Sequence, residues 1–398
     1  MYQRRYQETH PWISYVFKVN SIDNATIFHL GEALSKCDHI CGAPLPPQAA
    51  ADLNQVFLTK GVHATTSIEG NSLTEDQVRQ RLDGDLELPE SIEYQGIEID
   101  NLIEVLNQIN VECATGELAP LTVEKIKSWN RDVLAGQPVA DGVTPGEFRT
   151  SSVVVGSVYR GAPAEDCAYL MDRFIQFINE VLVTDNPFWQ RPMGILRAIV
   201  AHLYLAWIHP FGDGNGRTAR LIEFQLLIEA GIPVPAAHVL SDYYNRSRAL
   251  YYLSLERAST LPDHDEGVAQ FIAYAVKGFV EGLREQVDQI EAHQLRIAWL
   301  SYVHEVFSRE RHSDSWRRRR ALVLAMPISP TPRSDLTKLT PELAELYAGT
   351  SSKTLTRDLN ILLDRGLIHR SGRGFTSSQG DMAAFLPASI DPTTLAGD

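Results

Sequence analysis

Two apolar helical stretches, Ala198 to Ile208 and Leu221 to Ile228, flank the run His209-Pro210-Phe211-Gly212-Asp213-Gly214-Asn215-Gly216-Arg217-Thr218-Ala219-Arg220. No other feature constrains the fold as tightly, because two buried helices must be joined by a short, glycine-rich turn. Gly212, Gly214 and Gly216 can take positive φ and let backbone come close to a ligand. The first N–H groups of the second helix have no intrahelical acceptor, and with the helix dipole they form an anion site. Successive amides in such a turn also make a concave nest for phosphate oxygens. Arg217 and Arg220 lie three apart on one side of the first turn and offer planar, forked donors to phosphate. Two arginines opening a helix oppose its dipole, so they call for an anion nearby. Asp213 is a hard oxygen ligand suited to Mg²⁺ shared with substrate phosphates. His209 is the side chain whose ordinary pKa suits a base near neutral pH.

Together these residues describe transfer of a nucleotide or phosphoryl group to a hydroxyl. The chain has no G-x-x-x-x-G-K-[ST] run, so this is not a P-loop. Standing alone, His209 reads as a capping or core histidine, and the glycine run reads as a turn. The combination is different: matching its seven most restrictive positions by chance has odds on the order of 10⁻⁷.

Upstream, Gln48 to Ile68 has a helical pattern with apolar Leu53, Val56, Phe57 and Leu58, stopped by Gly70-Asn71. Glu69 then sits at a helix C-terminus, where a carboxylate opposes the dipole. Either the end frays or the acid answers a cation elsewhere. From Gly146 to Val158 the helical period gives way to a β-branched run bounded by Pro145 and glycine. An isolated hairpin is unstable alone and must lie on something, as decoration or as part of a site.

The segment 209–220 resembles the signature H-x-F-x-[DE]-G-N-G-R-x-x-R of Fic-domain proteins, and Thr65-x-x-x-Glu69-Gly70 resembles the inhibitory motif [ST]-x-x-x-E-[GN] of the N-terminally inhibited class. The resemblance implies a mainly α fold: a Fic-type helical bundle with a small β-hairpin flap. It implies transfer of AMP from ATP to a Ser, Thr or Tyr hydroxyl of a target protein, with release of diphosphate. His209 would be the base, and Asp213 would hold Mg²⁺. Asn215, Gly216 and Arg217 would bind the nucleotide's phosphates, Gly214, Thr218 and Ala219 would belong to the same nucleotide-binding segment, and Arg220 would orient the γ-phosphate. Glu69 would inhibit by pairing with Arg220. The flap (146–158) would align the target by strand addition and contact nucleotide through Val155, Gly156, Ser157 and Val158. Tyr251 would contact the nucleoside; where several relatives carry an Asn eight residues later, this chain has Ser259. Some family members with this Glu run the reaction backwards and remove AMP. A nucleotide-sensing regulator acting through the C-terminal module is the third reading.

The 398 residues are 44% hydrophobic, enough for one large core or two to three domains. No run of eighteen apolar residues and no leader with a cleavage site is present, which leads to the expectation of a cytoplasmic protein without membrane contact. Cys37, Cys41, Cys113 and Cys167 lack zinc spacing and read as free thiols. Net charge is −14, yet Arg311 to Arg373 carries twelve Lys/Arg against six Asp/Glu, or +6, leaving −20 for the rest. That asymmetry marks a separate module resembling a winged helix-turn-helix, with recognition helix 351–365 and wing 366–376. Its Lys353, Arg357, Arg370 and Arg373 suit DNA, whereas the acidic body favours a protein-interaction or dimerisation role, a homodimer included.

The expected domains are 1–115 with the inhibitory helix, 116–285 as the Fic core, 286–312 as a helical linker, 313–378 as the winged helix and 379–398 as a flexible tail. Within them, helices are expected at 24–42, 48–68, 91–114, 122–135, 164–183, 192–208, 217–230, 241–259 and 265–309, the last broken. Further helices are expected at 317–326 and 333–346.

Overall fold

The structure is a computed structural model that describes residues 4–155, 159–372 and 374–383. It divides into two units, Met1–Val287 and Asp288–Asp398.

The first unit is built around α9 (Asn215–Glu229), in which every residue from Arg217 to Ile228 is buried. A helix covered on all sides sits at the centre of its domain. Its neighbours are α8 (Pro187–Ile208), α6 (Val123–Val133), α5 (Glu93–Thr115), α3 (Pro47–Ile68) and α10 (Val234–Ala237). Around these lie α1 (Tyr6–Thr9), α2 (Asn24–Gly42), α4 (Glu75–Asp83), α7 (Cys167–Gln176), α11 (Val239–Arg246), α12 (Arg248–Thr260) and the part of α13 (His264–Ser308) up to Val287. Side chains cap the starts of α2 and α4: Asp23 accepts from Thr26 N–H, and Thr74 with Gln77 forms a reciprocal capping box. One antiparallel hairpin, β1 (Val154–Val155) and β2 (Tyr159–Arg160), pairs Val154 with Arg160 and Val155 with Tyr159. The flap therefore extends two residues beyond the expected end at 158.

Three helix expectations are corrected. The segment 265–309 is one continuous helix, not a broken one. Its Gly278 and Gly282 are not breakers: a Cβ at either would collide with Tyr243 or Val239, so glycine there lets α11 approach closely. The 241–259 stretch is two helices, separated at Ser247, whose hydroxyl donates to the Tyr243 carbonyl. Helix α8 starts at Pro187 rather than 192, because Asn186 caps Phe188 N–H and Pro187 fills the first-turn position.

The second unit holds α14 (Asp314–Ala325), α15 (Pro341–Tyr347), α16 (Ser352–Asp364) and a three-stranded antiparallel sheet. Its strands β3 (Thr331–Pro332), β4 (Ile368–Ser371) and β5 (Gly374–Ser377) lie in the order β3-β5-β4. The helix expected at 333–346 begins only at Pro341, capped by Thr340; the edge strand β3 ends at Pro332, and a single 3-10 turn, Leu336–Lys338, lies between them. Trp299, Val303 and Phe307 share a core with Leu322, Leu343, Leu359 and Phe375. Buried Asp358 is neutralised by Arg318 Nε at 3.2 Å and by the Tyr347 hydroxyl at 3.1 Å. Among the described residues no helix is long and apolar enough to cross a membrane. The expected tail lies outside the described residues from 384 onward.

Candidate active site

The loop between α8 and α9 has two unlike ends. At the first, α8 stops because His209 takes a left-handed conformation (φ 50°, ψ 59°), unusual for a residue with a Cβ. The last carbonyls of a helix have no intrahelical donor, and here four in succession, Trp207 to Pro210, are covered by Tyr159 of the flap and by Arg149 ahead of it. The Tyr159 hydroxyl donates to Trp207 O at 2.7 Å. Arg149 donates to Ile208 O at 3.4 Å, from Nε to His209 O at 2.7 Å, and from its backbone N–H to Pro210 O at 3.0 Å. The same guanidinium also holds the carbonyls of Ser151 and Ala162. A buried cation at a helix C-terminus complements the dipole. His209 is thereby fixed, and burial, reinforced by the Arg149 charge, pushes its imidazole down to about 4. It is a neutral ring at physiological pH, able to accept a proton.

At the second end, Gly214 (φ 75°) caps α9, and the first intrahelical bond is Thr218 N–H to Gly214 O at 2.9 Å. The N–H groups of Asn215, Gly216 and Arg217 thus have no intrahelical acceptor. The Asn215 amide clamps the loop: it accepts from Phe211 N–H and donates to Phe211 O, both at 2.9 Å. Its side chain is thus committed to loop shape, which leaves the backbone N–H for a phosphate. Thr218 is likewise turned inward, its hydroxyl donating to Gly214 O at 2.8 Å. Asn130 on α6 joins loop and flap, donating to Asp213 O at 2.9 Å and accepting from Gly146 N–H at 2.9 Å.

Each arginine has a carboxylate partner on a different helix. Arg220 donates to Glu69 Oε1 at 2.5 Å and to Thr65 O at 3.0 Å. Its side chain is only 2% exposed, yet its Nε and Nη1 have no hydrogen-bond partner among the described residues. The Glu69 carboxylate lies directly over Gly216, where any Cβ would overlap it. Burial pushes the Glu69 carboxyl up, but Arg220, Arg217 and His209 outweigh this and hold it below its usual range. Arg217 donates from Nη1 to Glu98 Oε1 at 2.7 Å and from Nη2 to Asp213 Oδ1 at 3.2 Å. Asp213 remains 43% exposed. Among the described residues no three His, Cys, Asp or Glu side chains gather to hold a metal. A single half-open carboxylate fits a divalent ion whose other ligands are phosphates and water.

A cavity of about 480 Å³ opens here, a size suited to a nucleotide. Of the expected site residues, Glu69, His209, Asn215, Gly216, Ala219, Arg220 and Tyr251 line it. Gly214, Arg217 and Thr218 instead form the buried side of the loop. Val155 lies on β1, and Gly156, Ser157 and Val158 fall outside the described residues. The Tyr251 hydroxyl meets His202 Nε2 at 2.9 Å, and its ring stacks on Tyr244 at 4.8 Å. Ser259 is turned away, donating to Glu256 O. Arg149, Asn130 and Glu98 are the working residues the sequence reading missed. Arg149 alone carried a signal, a cation beside Phe148 at the entry to a β-branched run.

Residues 120–227 match the Fic/DOC family. Protein adenylyltransferase fic-1 of Caenorhabditis briggsae is 31% identical over 198 residues, covering 50% of this chain and 36% of that protein. Protein adenylyltransferase Fic of Drosophila erecta is 33% identical over 199 residues, covering 49% and 36%. The match thus spans little more than a third of these curated relatives. A crystal structure of a Fic family protein from Desulfovibrio desulfuricans G20 superposes with a TM-score of 0.54 at 18% identity, covering 91% of this chain and 97% of that one. Fic-1 (residues 134–508) from C. elegans gives 0.53 at 24% identity, covering 67% and 73%. The fold is the mainly α Fic bundle with its small β flap.

Proposed function

We propose that this chain, whose residues 120–227 belong to the Fic/DOC family, is a protein adenylyltransferase that moves AMP from ATP to a hydroxyl of a target protein and is held low by Glu69. The observation that carries the reading is the seat of the Glu69 carboxylate. It rests over Gly216 at the open N-terminus of α9, bonded to an arginine with two further unpaired nitrogens. A carboxylate drawn to such a place stands where a phosphate would bind.

In this mechanism neutral His209 takes the proton of the target hydroxyl. The hydroxyl oxygen bonds to the α-phosphorus, and the bond from that phosphorus to the bridging oxygen breaks. Diphosphate leaves with the electron pair. The α9 amides and Arg220 hold the departing phosphates in line, so positioning and charge neutralisation supply most of the rate. Asp213 would hold Mg²⁺, which supplies charge neutralisation at the phosphates when bound. The flap strand β1, with Val154 exposed, offers its edge to target backbone. Free thiols and a need for ATP suit the cytoplasm.

Intact-mass analysis of Glu69→Gly protein incubated with ATP and Mg²⁺ tests the reading. An added AMP is expected; added phosphate, or no adduct, would overturn it.

The second unit reads as a winged helix, with α16 presenting exposed Lys353, Thr356, Arg357 and Asn360 and with Arg370 exposed on β4. Arg373 lies outside the described residues. This face carries three cations, Lys353, Arg357 and Arg370, while its one central acid, Asp358, is buried and paired. DNA is the partner it suits. Salt-dependent retention of duplex DNA, weakened by Arg357→Ala, is the expected result.

A further inference from the structure

The carboxylate that holds Arg217 also holds the turn that carries Glu69. Glu98 lies on α5, buried, with one oxygen accepting from Arg217 Nη1 at 2.7 Å and the other from Asn71 Nδ2 at 2.8 Å. Asn71 is two residues beyond Glu69. The same amide donates to Gln95 O at 3.0 Å, and Gln95 Oε1 accepts from Ser72 N–H at 2.8 Å. The turn after α3 is therefore docked on α5 through Glu98 and Gln95. Arg220 lines the cavity; Arg217, drawn toward α5, does not. Two guanidinium groups thus face three carboxylates, Glu69, Glu98 and Asp213. A polyphosphate entering such a site meets cations that are already neutralised and must displace their partners.

We propose that Glu98 is a second carboxylate of the latch, a positioning residue that holds Arg217 off the cavity and, through Asn71, ties the Glu69 turn to the same group. Release of Arg220 from Glu69 and release of Arg217 from Glu98 are then one coupled event. This rests on Glu69 being the inhibitory residue, and it adds a residue that neither motif contains. Buried polar networks of this kind couple their members because one broken link leaves the others unsatisfied.

Glu98→Gln is the informative variant. Its amide oxygen still accepts from Asn71, so the fold is kept, while the charge that holds Arg217 is gone. Binding of ATP with Mg²⁺ by calorimetry, automodification rate and melting temperature are measured for Glu98→Gln, Glu69→Gly, the double variant and Glu98→Asp. Glu98→Gln is expected to tighten ATP and raise automodification about tenfold with little change in melting temperature. In the Glu69→Gly background it is expected to add under about twofold, since the latch is already open. Glu98→Asp, which restores the charge, is expected to return ATP affinity toward the original. Weaker ATP binding by Glu98→Gln would mean that Glu98 orients Arg217 for phosphate, and the proposal would be wrong. Fully multiplicative effects of the two substitutions would equally overturn it. If Glu69→Gly takes up no AMP, the transfer reading fails by itself, and ATP affinity still decides the role of Glu98.

Discussion

The two ends of the signature loop make opposite use of the same helix physics. At the end of α8, four consecutive carbonyls are covered by Tyr159 and Arg149, so nothing there is left for a ligand. At the start of α9, three N–H groups lack intrahelical acceptors, and the carboxylate of Glu69, from the end of α3, lies over Gly216. The closed end fixes His209; the open end receives charge. A helix terminus that is fully satisfied internally is structural, whereas one faced by a side chain from another segment is, on the proposed function, a site with its own competitor.

The sharpest way to break this contrast is at the residue between the two ends. His209→Ala is expected to lower transfer by about 10³-fold or more while ATP affinity, set at the open end, stays nearly unchanged. Single-turnover rates and calorimetry in the Glu69→Gly background measure both. The pH profile of the same background sharpens the point. With its imidazole pushed down to about 4, His209 stays neutral across the physiological range. The rate is expected to be level from about pH 6 to 8 and to fall only toward pH 4, with no limb near the ordinary histidine value of about 6.5. Stability follows the same sign. Folded His209 and His238, each pushed down to about 4, bind fewer protons than the unfolded chain between about pH 6.5 and 4. They therefore contribute stability that is lost as pH falls through that window.

At the closed end, Arg149→Ala is expected to cost about 3 kcal/mol, because several buried carbonyls lose their donor at once. Calorimetric unfolding would show this as a lowered first transition, and a loss under about 1 kcal/mol would mean the carbonyls find other partners. At the open end the expected effect is a gain. Glu69→Gly should raise automodification about ten- to a hundredfold, whereas Arg220→Ala should be inactive with or without it. An Arg220→Ala variant as active as Glu69→Gly would leave Glu69 a mere helix end. The smallest effect belongs to Tyr159→Phe, which removes a single bond to Trp207 O and should cost about 1 kcal/mol in thermal unfolding with the open end untouched.

Much of this site was legible in sequence because its chemistry is local. His209, Asp213, Gly214, Gly216 and Arg220 stand in one run, and a glycine-rich turn between apolar stretches can do little but expose amides. Glu69 was legible as an acid at the wrong end of a helix. The roles of Asn215 and Thr218 were not. Their residue types suit phosphate, but the loop's own backbone claims their side chains first. The helix break at Ser247 also escaped local reading, since a side-chain bond to the Tyr243 carbonyl decides it, and the late start at Pro341 is set by the Thr340 cap.

By itself the sequence determined that a buried helix pair would be joined by a glycine-rich turn carrying a histidine, a carboxylate and two arginines, and that an acid upstream would want a cation. Local spacing and backbone geometry suffice for that. Only the tertiary structure decided which of the loop's orphan groups are satisfied and by whom. Arg149 lies 60 residues from the carbonyl of His209, Asn130 lies 83 from that of Asp213, and Glu98 lies 119 from Arg217. Satisfaction of a buried polar group depends on what packs against it, and the burial that lowers the His209 pKa is likewise set by distant elements.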